Sequence, residues 1–169
     1  MHDALAFVDR CARALAPGRA LDVACGRGRH LALLAGLGWH ATGVDRDEQA
    51  LAEAATRAPA ARLLARDVEA EGLPAEWGGS FDLVVVTFFL HRPLFADLAR
   101  VLAPSGRLVL ETFHDENRRR RSHPRRPHLA LGPAEGRALC EGVGLLVLES
   151  DEAERGDVFT TRVLAARPA

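Results

Sequence analysis

Ten residues, LDVACGRGRH at positions 21–30, constrain this chain more than any other stretch. Leu21, Val23 and Ala24 read as the end of a buried strand, and Gly26 and Gly28 permit a sharp turn where a Cβ would collide with a ligand. A helix starting near Arg29 then points its unpaired N–H groups back at the turn, which makes the turn a place for a bound cofactor. Asp22 narrows the chemistry of that ligand. A carboxylate so close to the turn disfavours a bare phosphate and suits an ammonium group or a ribose hydroxyl.

Strands and helices alternate along the rest of the chain. Asp3 caps a first helix running to about residue 16, on which Leu5, Val8, Ala12 and Leu15 share one face. Residues 40–45 form a second strand ending in Asp45, and Asp47 caps a helix that Pro59 closes. Residues 61–68 form a third strand, which ends in Asp67. Residues 81–88, FDLVVVTF, form the most hydrophobic strand, as befits a parallel strand covered on both faces. Pro93 opens a helix through residue 102, and Pro104, Ser105 and Gly106 turn the chain into a strand at 107–113. After residue 114 the rhythm breaks. A last helix at 133–141 leads to strands at 145–150 and 158–166, and the short acidic loop between them requires antiparallel pairing. The pattern predicts one α/β domain over residues 1–169, doubly wound around a mostly parallel, seven-stranded Rossmann-like sheet with a C-terminal antiparallel hairpin.

Composition excludes several alternatives. A chain of 169 residues buries about 70% of its unfolded surface, and a net charge of -1 supplies no field that would call for nucleic acid or an anionic membrane. The longest apolar run, residues 83–90, is far short of a membrane span, and the N-terminus lacks a secretory pattern, so a cytoplasmic protein is expected. Cys11, Cys25 and Cys140 are too widely spaced for a zinc site or a disulfide framework. All 22 basic residues are arginines and the chain has no tyrosine, so a general base must be a histidine, a carboxylate or a cysteine.

Asp22, Ala24, Gly26 and Gly28 match the pattern acid-x-Gly-x-Gly-x-Gly, with Ala24 in place of the first glycine. The stretch resembles the first motif of class I S-adenosylmethionine-dependent methyltransferases. Leu31 occupies the place where the competing dinucleotide-binding motif has its third glycine. The resemblance implies S-adenosylmethionine as cofactor. It also implies that Asp45 holds the ribose hydroxyls, that Asp67 takes the adenine amino group, and that Val68 offers its backbone N–H to the ring; Arg46, beside Asp45, is a further candidate cofactor-binding residue. Thr87 ends the central strand beside them. The stretch from Phe89 to Phe113 is similar to small bacterial methyltransferases of the tellurite-resistance type, and the Asn/Asp-Pro-Pro-aromatic tetrad of adenine and glutamine N-methyltransferases is missing after Thr87.

His91 and His114 follow adjacent strand ends and are the candidate bases, facing one pocket, while Arg92 is a candidate for an anionic group. Arg118 to Arg121 with Arg125 and Arg126 form a basic block, expected to be mobile and to serve as a lid. The expected activity is methyl transfer to a small-molecule acceptor, with no membrane partner and nucleic acid disfavoured. The alternatives are a binding module that contacts RNA or a protein through the arginine block, and a nucleotide-dependent oxidoreductase.

Overall fold

In the computed structural model, which describes residues 4–119 and 127–169, α1 (Ala4–Arg13) leads to β1 (Arg19–Val23), α2 (Arg29–Gly36), β2 (His40–Asp45), α3 (Glu48–Arg57) and β3 (Arg62–Ala65). There follow α4 (Val68–Glu71), β4 (Phe81–Thr87), α5 (Phe95–Val101), β5 (Leu102–Phe113), α6 (Glu116–Arg119), α7 (Glu135–Gly142), β6 (Leu146–Arg155) and β7 (Val158–Ala166). The strands form one seven-stranded sheet in the order β3-β2-β1-β4-β5-β7-β6. β1 to β5 pair in parallel, and β7 pairs antiparallel with both β5 and β6. This is the doubly wound sheet and closing hairpin that the alternation predicts. No helix among the described residues is long and apolar enough to cross a membrane.

The period of two in the central strands divides the core into two layers. Val84 and Val86 of β4, Leu108 and Leu110 of β5 and Leu21 and Val23 of β1 join Phe95, Leu98 and Val101 of α5 on one face. Leu83 and Val85 of β4, Val109 of β5 and Ala20 of β1 meet Phe7 and Val8 of α1 and Leu31 and Leu34 of α2 on the other. Each fully buried leucine in these layers contributes about 2 to 3 kcal/mol.

Boundaries differ from expectation where tertiary contacts override local signals. β3 covers only Arg62–Ala65, because Asp67 accepts from the N–H groups of Glu69 and Ala70 and starts α4, leaving Val68 in a helix. Pro104, Ser105 and Gly106 do not form a turn ahead of the strand but lie within β5, whose register shifts against β4 there; Ser105 sits at φ 62 and donates its N–H to the Arg167 carbonyl. Pro93 belongs to a short 3-10 turn, Arg92–Leu94, and α5 begins after it. β6 runs ten residues through the acidic stretch, so the hairpin turn falls at Gly156 and Asp157. Asp3, expected to cap α1, and the arginine block at 118–126, expected to be a mobile lid, lie outside the described side chains.

Glu111 of β5 is fully buried and faces Arg162, its cross-strand partner on β7. Arg162 Nε donates to Glu111 Oε2 at 2.9 Å, and Thr160 Oγ1 donates to Oε1 at 3.2 Å. The guanidinium also lies over the Phe7 ring, 4.9 Å from its centroid. Removing either partner strands the other, but not equally, since the Arg162 side chain keeps 20% of its surface in water and Glu111 keeps none. Arg162→Met should therefore destabilise the fold by about 3 kcal/mol or more, and Glu111→Gln by clearly less. Urea denaturation of the two variants checks the order; equal losses would contradict it.

Candidate active site

β1 ends at Val23, and the chain leaves it through Ala24, Gly26 and Gly28 in left-handed conformations, with φ of 54, 50 and 74 degrees. Alternating left-handed residues cannot propagate a helix, so the turn depends on outside hydrogen bonds. The N–H of Cys25 donates to Val44 at 3.1 Å, and the N–H of Gly28 donates to Cys25 at 3.0 Å. The Asp45 carboxylate, at the end of β2, accepts from the N–H of Gly26 at 2.7 Å and of Asp47 at 2.9 Å. The two glycines serve different ends. A Cβ on Gly26 would meet nothing within 4 Å, whereas one on Gly28 would lie 2.8 Å from the Ala54 Cβ, so Gly28 lets α3 pack against the turn.

A cavity of about 280 Å³ opens beyond the strand ends, where ligands of doubly wound sheets bind. Ala24 and Asp45 contribute the turn side, and Arg46, Arg66, Asp67, Val68 and Glu69 a charged flank. Phe88 and Phe89, after β4, and His128 and Leu129, ahead of α7, complete the wall. Asp67 uses one oxygen to cap α4, and the other lies 3.6 Å from Arg46. Val68 opens α4, so its N–H belongs to the first turn, where no helix carbonyl is available. Arg46 also reaches Glu69 at 3.2 Å. Arg66 is committed to the carbonyls of Gly72 and Glu71, which fold α4 back against β3.

Behind this wall lies a buried polar group that the sequence only half reveals. Asp22 is 1% exposed, its Oδ2 has no hydrogen-bond partner, and it lies 4.0 Å from Nδ1 of His30. His30 in turn shares a 3.3 Å contact with the Thr87 hydroxyl. Burial pushes the Asp22 carboxyl up to about 8, with Arg29 opposing and Asp45 adding to the rise. Burial pushes His30 down to about 4. Burial thus favours the neutral form of both groups, and at 4.0 Å they make no hydrogen bond to each other. An orphaned buried carboxyl oxygen under a glycine turn is the kind of group that an incoming ammonium completes.

Of the nine sequence-derived cofactor residues, Ala24, Asp45, Arg46, Asp67 and Val68 line the cavity. Asp22, Gly26, Gly28 and Thr87 shape the turn and strand ends without lining it. His91 and His114 do not come together there. The His91 carbonyl accepts from the Leu94 N–H and starts the 3-10 turn, while its ring is absent from the lining. His114 is 5% exposed and packs on the Phe159 ring. Its Nδ1 accepts from the Glu116 N–H at 3.0 Å and its Nε2 is 3.4 Å from Glu152. The short reach from β5 to the hairpin draws this histidine under β7 instead of into the cavity. Arg92, expected to meet an anionic ligand, binds Glu135 and two backbone carbonyls. His30, His128 and Glu135 escaped the sequence reading, and no local pattern marks them. Among the described residues no group of histidine, cysteine and acidic side chains could hold a metal ion.

The fold and the turn define a cofactor-binding enzyme of the doubly wound class. The methyltransferase-domain family model matches residues 20–106, and the chain belongs to that family, as an S-adenosylmethionine-dependent enzyme. Among the curated proteins none matches it. The fold is similar to that of the N-methyltransferase NodS from Bradyrhizobium japonicum WM9, with a TM-score of 0.77 and 20% identity over 99% of this chain and 95% of that one. A TehB-like S-adenosylmethionine-dependent methyltransferase from Corynebacterium glutamicum ATCC 13032 gives 0.72 and 22%, over 95% of this chain and 87% of that one. The 1,6-didemethyltoxoflavin N1-methyltransferase from Burkholderia thailandensis gives 0.75 and 20%, over 99% and 80%.

A carboxyl raised above its unfolded value binds its proton more tightly in the native state, so its contribution to stability is full below about pH 4 and is lost as pH rises through about 8. Asp22→Asn removes that dependence. Between pH 5 and 9, wild type should lose melting temperature relative to Asp22→Asn, measured as paired thermal scans. Parallel curves would show that Asp22 is ionised in the free protein.

Proposed function

We propose that the protein transfers the methyl group of S-adenosylmethionine to a small-molecule acceptor. The observation that carries this reading is the cavity itself, which places Asp45, Asp67 and Val68 around one space next to a glycine turn that shields an orphaned carboxyl oxygen. Asp45 accepts from the ribose hydroxyls and Asp67 from the adenine amino group, since carboxylates are acceptors only. The N–H of Val68 meets the ring, Phe88 and Phe89 give it apolar walls, and Asp22 receives the ammonium. The bound cofactor supplies a methyl group on a cationic sulfur, which is already electrophilic. The protein's part is to align an acceptor with that methyl and to exclude water.

A small acceptor suits the economy of the chain. The seven-stranded sheet and its helices use most of the residues, leaving the loop after Thr87 and the stretch between β5 and α7 to shape an acceptor site. A neighbour in fold carries 1,6-didemethyltoxoflavin with S-adenosylhomocysteine. Proton removal is needed only for an acceptor that arrives protonated. His91, on the loop after β4, is then the base, and His114 is not, because its ring is enclosed by Phe159, Glu116 and Glu152.

S-adenosylmethionine and S-adenosylhomocysteine should raise the melting temperature, and NAD should not. Asp45→Ala deletes charge-assisted hydrogen bonds worth about 1.5 to 3 kcal/mol each and should weaken binding at least tenfold by calorimetry. Unchanged affinity would sink the assignment of the site. A screen of small acceptors with methyl-labelled cofactor, scored by release of S-adenosylhomocysteine, tests the reaction; turnover on nucleic acid or protein alone would overturn the small-molecule reading. On an accepted substrate, His91→Ala should remove the pH dependence of the rate and lower it about 100-fold if the acceptor is a hydroxyl or a protonated amine. For an anionic acceptor the rate should instead follow ionisation of the substrate.

A further inference from the structure

Arg92 leaves the end of the β4 loop with its guanidinium spent on the protein. Nη1 donates to the carbonyl of His128 at 2.9 Å, and Nη2 to the carbonyl of Ala130 at 3.0 Å. Nη2 also reaches Glu135 at 3.0 Å, and Nε donates to the other oxygen of the same carboxylate. Glu135, the first residue of α7, accepts in addition from the N–H of Gly132 at 2.7 Å. One planar cation and its carboxylate therefore fix the strip 128–132 at three backbone points. Each member holds the other charged, raising Arg92 and lowering Glu135.

Stability alone does not account for this arrangement. The side chains keep 38% and 29% of their surface exposed, and an ion pair so open to water contributes at most about 1 kcal/mol. What the pair does fix is position. His128 and Leu129 lie inside the clamped strip, and they are the residues from this part of the chain that line the cavity beside Phe88 and Phe89. Arg92 thus ties the loop after β4, which carries the two phenylalanines, to the strip that faces them. The planar fork matters here, because two carbonyls and a carboxylate are met at once by donors in fixed directions.

We propose that Arg92 and Glu135 are positioning residues for the cofactor: their pairing holds His128 and Leu129 as the outer wall of the cavity and so sets how long a bound cofactor is retained. His128 is a contact residue of the same site. The inference rests on the reading of the cavity as the S-adenosylmethionine site.

Titrating S-adenosylhomocysteine into wild type, Arg92→Met, Glu135→Gln and His128→Gly, with dissociation rates and unliganded melting temperatures, tests it. All three variants should bind at least tenfold more weakly through faster dissociation. His128→Gly should do so with its melting temperature unchanged, a result that a merely structural role would not give. Arg92→Lys should recover only part of the affinity, since one ammonium cannot span all three acceptors. If Arg92→Met does not fold, Glu135→Gln and His128→Gly carry the same criterion. Variant affinities within twofold of wild type overturn the positioning role, whatever happens to the melting temperatures. Wild type that binds no S-adenosylhomocysteine overturns instead the cofactor reading on which the proposal stands.

Discussion

The Asp45 carboxylate is the constraint on which the site is built. A turn made of left-handed residues has no internal hydrogen-bond ladder, and this one is held open by an acceptor from the neighbouring strand. Parallel pairing of β1 with β2 sets Val23 against Val44, so the residue after Val44 stands beside the turn as a matter of register. One oxygen then takes the N–H of Gly26 and the other that of Asp47. A carboxylate offers about four lone-pair sites, so two remain for ligand hydroxyls after the turn is fastened. The group that shapes the loop is thus the one proposed to meet the ribose, and the loop is fastened by the protein's own hydrogen bonds.

Asp22 shows the opposite economy. Where each oxygen of Asp45 has a partner, Asp22 carries an unsatisfied oxygen inside the sheet, and a buried polar atom without a partner costs about 1 to 3 kcal/mol. Neutralisation lowers that cost in the free protein, and the neutral His30 and the Thr87 hydroxyl share the space. A fold tolerates such a defect where a ligand repairs it. On the proposed function, the free energy withheld from folding at Asp22 would be returned when the ammonium of the cofactor arrives.

The sequence disclosed what local spacing controls. Gly26 and Gly28 mark the turn because only positive φ or close approach requires glycine in such a pair, and acids at the ends of short strands point to Asp45 and Asp67 because a strand end in a parallel sheet is also a site edge. Asp67 was legible as a residue at the cavity edge although the strand before it is shorter than its sequence suggests; a helix-capping carboxylate and a strand-terminating one look alike in one dimension. The acidic stretch before Gly156 was misread as a loop for a related reason. β6 is an edge strand with one side open to water, so its charges do not interrupt its pairing with β7. The Arg92 clasp and the Glu111 pair join residues 43 and 51 positions apart, and His128 reaches the cavity only because the chain returns there. Such contacts exist only after the sheet has assembled, and no window of sequence contains them.

The closing hairpin anchors the chain on either side of the stretch that follows β5. β7 enters the sheet beside β5 and fastens its far end: the N–H of His114 donates to Phe159, and the buried Asn117 side chain bonds the Phe159 backbone in both directions. The chain then departs, and on its return Leu131 is paired beside Phe113 and Asp115 by two further backbone bonds. Asp115 and Leu131 therefore stand at adjacent points on a rigid base. Closure entropy grows only as the logarithm of loop length, so residues inserted or replaced between those points cost the fold little while the anchors hold. The side of the cavity lined by Ala24, Asp45 and Asp67 is built at strand ends. His128 and Leu129 reach the other side from a stretch whose described ends are pinned to that base, and surface connections vary more readily than the strands they join.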